Sequence, residues 1–279
     1  MFRKISTIVM LTLFFIGLSV LLYPAISSYW NSKTQSHAVE NYENMLEDMG
    51  NIDYDALFGA ANEYNAKLAA MEEQFTQYPA IDADYWSALN LGGDGMMGYI
   101  SIDSIGVTLP IYHSTSESIL AKSAGHVEGT SLPVGGKSTH AVLSAHRGLP
   151  NAKLFTDLDK LQLGDTFEIT VLNEVYVYQV DNVVVVTPEN TADIRIVEGE
   201  DYCTLLTCTP YGINSHRLLV RGRRVDALTP KTVYVGAEAF RIDTLIVTPI
   251  VALPILLILI IYVIMQPVKR ENLIEGDEI

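Results

Sequence analysis

The chain has 279 residues, which is enough for one sizeable domain with attached segments. Its formal net charge of -15 argues against a nucleic-acid partner, because phosphate binding requires a basic surface. Two cysteines and six scattered histidines exclude a disulfide-stapled small domain and show no zinc-ligand spacing.

The N-terminal residues predict a membrane anchor. Residues 5–23 are apolar and uncharged, close to the roughly 20 residues that span a bilayer. Arg3 and Lys4 precede this run, so the positive-inside bias places the N-terminus in the cytoplasm. A cleaved signal peptide is the alternative, but the apolar run is longer than the usual signal core. We assign residues 1–29 to this anchor or signal-like segment.

Residues 30–96 are predicted to form a largely helical N-terminal region. Glu, Ala, Leu and Asn dominate its first part, and we expect two helices, over 36–49 and 54–77. Gly50 and Asn51 separate them. Residues 81–95 contain three glycines and are expected to be irregular.

Strand signals dominate residues 97–228. Seven segments alternate in polarity or are rich in β-branched residues, namely 97–102, 107–112, 141–144, 165–172, 175–186, 202–207 and 217–223. Short helical pieces are expected over 116–121 and 152–158. Many short strands separated by turn residues predict a mainly-β fold, a closed antiparallel barrel.

A second apolar run near the C-terminus predicts another membrane span. Residues 245–265 are uncharged and rich in Leu, Ile and Val, and Lys269 and Arg270 follow them. We expect a linker over 229–244, the span, and a cytoplasmic tail over 266–279. Both termini are then cytoplasmic, and the barrel lies outside the membrane.

A thiol and a guanidinium flank a tight loop in residues 201–223. Cys208 ends one predicted strand and Arg217 begins the next, with turn formers between them. Acyl transfer requires such a pair, because a thiolate attacks the carbonyl and a positive charge holds the oxyanion. Cys203 lies on the same strand facing the other way, so we expect no disulfide with Cys208. Arg221 and Arg223 compete with Arg217, but only Arg217 adjoins the loop.

A candidate base stands upstream. His146 follows an apolar strand and precedes a Gly-Leu-Pro turn, a position where a rigid sheet can hold a catalytic group. A Cys and a His need not be close in sequence to be close in the fold. His126 and His140 are competing candidates.

Several blocks in one order resemble the sortase family of cysteine transpeptidases. They are Thr-Leu-Leu-Thr-Cys at 204–208, the arginine nine residues after the cysteine, and the upstream histidine. Residues 125–136 and 207–222 resemble the class C, pilus-assembling branch. The resemblance implies Cys208 as nucleophile, His146 as acid and base in an Ala-His-Arg-Gly context, and Arg217 as oxyanion holder. His126 and Thr207 are expected to line the substrate cleft.

The resemblance also implies a reaction that needs no cofactor. A membrane-anchored class C sortase cleaves a Leu-Pro-x-Thr-Gly-like signal between Thr and Gly through a thioester. It then joins the acyl group to a lysine amine of another pilin subunit. One alternative is a sortase that attaches surface proteins to peptidoglycan. Another is a membrane-held barrel that binds a surface peptide without catalysis.

Class C sortases carry a lid, an Asp-Pro-aromatic segment over the active site. Its aspartate pairs with an arginine, and its aromatic ring covers the thiol. In the segment 82–90, Asp84 and Trp86 keep this offset, whereas Tyr85 replaces the proline. The alternative is an ordinary turn before the first strand.

Overall fold

The structure is a computed structural model that describes residues 2–50 and 52–225. The predicted linker at 229–244, the second span at 245–265 and the tail at 266–279 lie outside the described residues.

Eight strands form a closed barrel in the order β1-β2-β3-β4-β7-β8-β6-β5. The strands are β1 (Met96–Ile102), β2 (Val107–His113), β3 (Ala124–His126), β4 (Thr139–Ser144), β5 (Thr166–Val171), β6 (Glu174–Val186), β7 (Asp201–Thr209) and β8 (His216–Arg224). The mainly-β barrel prediction is confirmed, and all seven predicted strands are present. Strand β3 was not predicted, because it has only three residues and a glycine at its centre.

Two seams of the barrel are parallel, so the prediction of an entirely antiparallel barrel is wrong there. Strand β3 runs parallel to β2, and β7 runs parallel to β4. Parallel neighbours require a crossover connection instead of a hairpin. A short helix, α5 (Glu117–Leu120), lies in the first crossover, and β5 and β6 lie in the second. Alternating polarity indicates which face of a strand is buried, but it carries no information on strand direction.

Apolar side chains from every wall fill the barrel. Ile100, Phe167, Leu205 and Val220 are fully buried. Burying each such side chain stabilises the fold by about 1.5–3 kcal/mol. Close packing also explains one glycine, because a Cβ at Gly222 would lie 2.6 Å from the Phe167 ring.

The helices precede the barrel and differ from the prediction in their bounds. The first is α1 (Phe2–Asp48), so the helix expected over 36–49 is the end of a longer one. The second expected helix divides into α2 (Tyr54–Ala69) and α3 (Gln74–Gln77). Gln74 is buried, donates to the Gly129 carbonyl at 2.7 Å and accepts from Ile196 N at 3.2 Å. These long-range bonds favour the break over a continuous helix.

A fourth helix, α4 (Asp82–Ser87), occupies part of the segment that was expected to be irregular. The helical piece expected over 152–158 is instead irregular with turns, and a short 3-10 helix, Leu158–Lys160, begins at its end. Tyr42 near the end of α1 joins that helix to the barrel. Its hydroxyl donates to the Met97 carbonyl and accepts from Leu172 N, both at 2.9 Å.

Within the described residues, α1 is the one helix long and apolar enough to cross a membrane. Its side chains at Leu13, Phe15 and Val20 are exposed. This length and composition suit a membrane anchor.

Candidate active site

Strands β7 and β8 place the candidate nucleophile and the candidate oxyanion holder side by side. The antiparallel register pairs Cys208 with Arg217. Directly opposed residues project from the same face of a sheet, with Cβ atoms about 4.5–5.5 Å apart. The hairpin therefore brings the thiol and the guanidinium together, on one face near the end of the barrel.

The parallel seam between β4 and β7 places His146 on the other side of Cys208. Its register pairs Ser144 with Leu206. The ladder continues beyond β4, because Ala145 N donates to the Leu206 carbonyl at 3.2 Å. Thr207 Oγ1 donates to the Ala145 carbonyl at 2.8 Å. Continuing this register two residues past Ser144 and Leu206 pairs His146 with Cys208, so the register brings Cys208 between His146 and Arg217.

The two cysteines differ in environment, and both are free. Cys203 is fully buried, and burial raises the pKa of its thiol well above the ordinary value. Cys208 lies on the opposite face of β7 and is half-buried. Only the second thiol is therefore open to a substrate.

The three arginines of β8 differ in their partners. Arg221 forms a two-pronged pair with the Asp181 carboxylate at 2.9 and 3.0 Å, and Arg223 is paired with Glu200. Arg217 donates only to backbone carbonyls of its own loop, at 3.1 and 3.2 Å. Within residues 2–50 and 52–225, no carboxylate lies within ion-pair distance of Arg217. Its positive charge is therefore available to a developing oxyanion.

The two competing histidines, His126 and His140, are buried and hydrogen-bonded within the protein. His126 lies 2.8 Å from the Ser131 carbonyl, and His140 lies 2.7 Å from Thr204 Oγ1. Burial lowers the pKa of each of these two imidazoles to about 4, so both are neutral near pH 7. His146 is half-buried, and its Nε2 lies 3.2 Å from each carboxylate oxygen of Glu117.

The two residues expected to line the substrate cleft are not at its surface. Both His126 and Thr207 are buried, with relative exposures of 0% and 1%. The face that Cys208 occupies is lined by other residues, because side chains alternate along a strand.

An apolar cluster packs on this face next to Cys208 and Arg217. Val142 and Leu219 are buried in it and Leu206 is partly buried, and Leu206 and Leu219 lie two residues from Cys208 and Arg217. Phe75 of α3 packs against it. Phe75 was not predicted from the sequence, since one aromatic residue in a short polar helix forms no pattern.

The segment with the lid-like offset lies elsewhere. The Asp84 carboxylate pairs with Lys67 Nζ at 2.9 Å, not with an arginine. Trp86 stacks on His113, with ring centroids 5.7 Å apart. Tyr85, which stands where the lid pattern has proline, is fully buried. The expected pairing of Asp84 with an arginine, and of Trp86 with the thiol, is absent from the described part of the chain.

Tyr85 explains this placement. Its hydroxyl accepts from Ser114 N at 2.9 Å and lies 3.2 Å from His126 Nδ1. Its ring meets the His113 ring edge-on at 4.9 Å. Burial raises the pKa of Tyr85, so the hydroxyl stays protonated. A proline could make none of these contacts, and α4 is consequently fixed to the side of the barrel formed by β2 and β3.

Comparisons with known proteins identify the family of the chain. The sortase domain family matches residues 100–225. Sortase C1 of Streptococcus agalactiae is 49% identical, with a TM-score of 0.64 over 68% of this chain and 98% of that one. Sortase C of Streptococcus pneumoniae is 43% identical, with a TM-score of 0.59 over 68% and 97%.

A more distant relative covers more of the chain. Sortase A of Bacillus anthracis is 29% identical over 82% of this chain and 99% of its own length. The fold, the matched domain and the identity to solved class C enzymes lead to one assignment: the chain belongs to the sortase family of cysteine transpeptidases.

Proposed function

We propose that this protein is a membrane-anchored class C sortase that joins pilin subunits. The observation that carries the proposal is the register of β4, β7 and β8, which pairs Cys208 with Arg217 and, extended past the end of β4, brings His146 to the other side of Cys208. In this proposal α1 holds the protein in the membrane with its N-terminus in the cytoplasm, and the barrel lies outside. Residues 245–265 return the chain to the inside.

The first half-reaction breaks a peptide bond. The Cys208 thiolate attacks the Thr carbonyl of a Leu-Pro-x-Thr-Gly-like signal, and Arg217 donates hydrogen bonds to the oxyanion. His146 gives a proton to the departing Gly amine. The C–N bond breaks, and the acyl group remains on sulfur as a thioester.

The second half-reaction forms an isopeptide bond. A neutral lysine amine of another pilin attacks the thioester carbonyl, and His146 takes the proton that this amine loses. The C–N bond forms, the C–S bond breaks and the Cys208 thiolate is regenerated. All groups that move protons or charge in this cycle belong to the chain, so no cofactor is required.

The apolar cluster is suited to the Leu and Pro side chains of the signal once Phe75 leaves it. Its side chains are aliphatic and lie two residues from the thiol, and burial of an aliphatic side chain against them contributes about 1.5–3 kcal/mol. Phe75 packs against the same surface, so it must move before a peptide can bind. We therefore assign the role of cover to α3 in place of Asp84 and Trp86.

Pilin joining is favoured over peptidoglycan attachment by the relatives of higher identity. The Streptococcus pneumoniae sortase C, at 43% identity, is described with pilin substrate specificity. The Bacillus anthracis sortase A, at 29% identity, represents the branch without the class C label.

Incubation of the full-length protein in membranes with candidate pilins tests the proposal. We expect ladders of covalently linked pilins and a thioester that can be trapped on the enzyme. Cys208→Ala should abolish both products, while Cys203→Ala, which changes a buried thiol of the core, should retain both. Ladders formed by Cys208→Ala would refute the mechanism, and transfer to a peptidoglycan amine in place of pilin lysine would support the alternative acceptor.

A further inference from the structure

A carboxylate with no role in the mechanism above contacts the candidate base. Glu117 begins α5, the helix in the crossover between β2 and β3. Both of its oxygens lie 3.2 Å from Nε2 of His146. An ionised carboxylate can only accept hydrogen bonds, so Nε2 is the nitrogen that holds the proton. In the neutral imidazole, Nδ1 then has the free lone pair.

We propose that Glu117 is a positioning residue that fixes the tautomer and the ring orientation of His146. This inference rests on the proposed function, in which His146 is the acid and base. With Nε2 engaged, Nδ1 is the atom that takes the proton from the lysine amine and gives one to the Gly amine. The imidazolium, which is present before the Gly amine leaves and again after the lysine amine loses its proton, has Glu117 as its counter-ion. A carboxylate performs the same orienting task for the histidine of serine hydrolases.

Contacts with Tyr85 of α4 hold the backbone turn that precedes Glu117. Ser114 has a φ of +72°. This left-handed conformation is costly for a residue other than glycine, and surrounding contacts must maintain it. Ser114 N donates to the Tyr85 hydroxyl at 2.9 Å, and Ser114 Oγ accepts from Ser116 N at 3.1 Å. The buried Tyr85 therefore fixes the turn from which Glu117 reaches His146.

The expected effect is moderate, because the Glu117 side chain is 81% exposed. Exposed ion pairs are weak, so removing the charge should lower kcat about threefold to tenfold and leave KM unchanged. The loss falls on kcat, since Glu117 contacts the base and not the substrate.

Kinetics of the full-length protein with a sorting-signal peptide and a lysine acceptor test the inference. We expect Glu117→Gln to lower kcat, Glu117→Asp to restore most of it, and added formate to restore part of it in Glu117→Ala. Glu63→Gln is the matched control, because Glu63 forms an exposed ion pair with Lys67 on α2. This control should behave like the unchanged protein.

Nitrogen NMR of the His146 ring gives a readout that does not depend on turnover. At a pH where the His146 ring is neutral, the unchanged protein should show the Nε2–H tautomer, and Glu117→Gln should show a mixture of tautomers. An Nδ1–H ring in the unchanged protein, or an unaltered kcat in Glu117→Gln, would overturn the inference. His146→Ala separates the two levels: full activity in that variant would refute the proposed function itself, whereas an inactive His146→Ala with a fully active Glu117→Gln would refute only the role of Glu117.

Discussion

At the scale of single residues, side chains of the same type differ in burial and in their partners according to their position on the strand. Cys203 and Cys208 lie on one strand, and alternation sends the first into the core and the second into the half-buried site. The arginines of β8 differ through their partners, since Arg221 has a carboxylate and Arg217 has none among the described residues. Burial and pairing therefore select one thiol and one guanidinium.

This contrast predicts selective thiol chemistry. A small alkylating reagent should modify one thiol per folded chain, because burial both shields Cys203 and raises the pKa of its thiol. Intact-mass measurement should show a single adduct, which disappears in Cys208→Ala and persists in Cys203→Ala. Two adducts formed at equal rates on the native protein would contradict the assignment.

At the scale of elements, the sequence indicated Cys208, Arg217 and His146 but gave no sign of Phe75 or Glu117. Cys208 and Arg217 belong to one hairpin, so turn residues sufficed to bring them together. His146 was proposed from its place at a strand end and from the family resemblance. Phe75 and Glu117 reach the same region through tertiary contacts, which sequence spacing does not reveal.

In the segment 82–90, the contacts of Tyr85 determine where α4 lies. The offset of Asp84 and Trp86 predicted a cover over the thiol, but Tyr85 in the proline position inserts into the barrel wall. A buried aromatic ring with a hydrogen-bonded hydroxyl stabilises the position of α4 more than the restricted φ angle of a proline would. The same region of the face is instead contacted by Phe75 from α3.

We therefore expect replacement of Phe75, but not of Trp86, to change the access of reagents to the Cys208 thiol. Phe75→Ala should raise the rate at which a bulky maleimide labels Cys208 by about threefold to tenfold, because losing about 1 kcal/mol of apolar packing favours local opening. Trp86→Ala is the matched control and should leave this rate unchanged. If Trp86→Ala increases labelling and Phe75→Ala does not, the cover belongs to α4 after all.

At the scale of the whole molecule, the buried histidines link stability to pH. The folded-state pKa of both His126 and His140 is about 4, against 6.5 for an unperturbed histidine. Between these values the unfolded chain binds protons that the folded chain does not, so stability falls as the pH decreases from about 6.5 to 4. Above about 6.5 both states are neutral at these residues and the linkage vanishes.

Urea unfolding at pH 7 and at pH 4.5 measures this linkage. We expect each buried histidine to contribute a loss on the order of 1–3 kcal/mol over that interval. His140→Gln should lose less stability on acidification than the unchanged protein, and the exposed His37→Gln should lose as much. Equal losses in all three proteins would show that His140 binds its proton equally well in the folded and unfolded states.

The barrel architecture was predictable because its strands alternate or are β-branched over long stretches. Strand directions were not, since nothing in the alternation of β4 or β7 specifies that the two run parallel. Strand β3 was missed because three residues are too few to show a period.

The parallel pairing of β4 with β7 also affects when the proposed site can form during folding. Strands β5 and β6 lie between them in the chain, so His146 and Cys208 come together only after most of the barrel sequence is present. Contacts between such distant parts of a chain are slow to form. A polypeptide that is still being synthesised or translocated therefore has Cys208 without His146 and Arg217 beside it, and the proposed transpeptidase activity requires the completed fold.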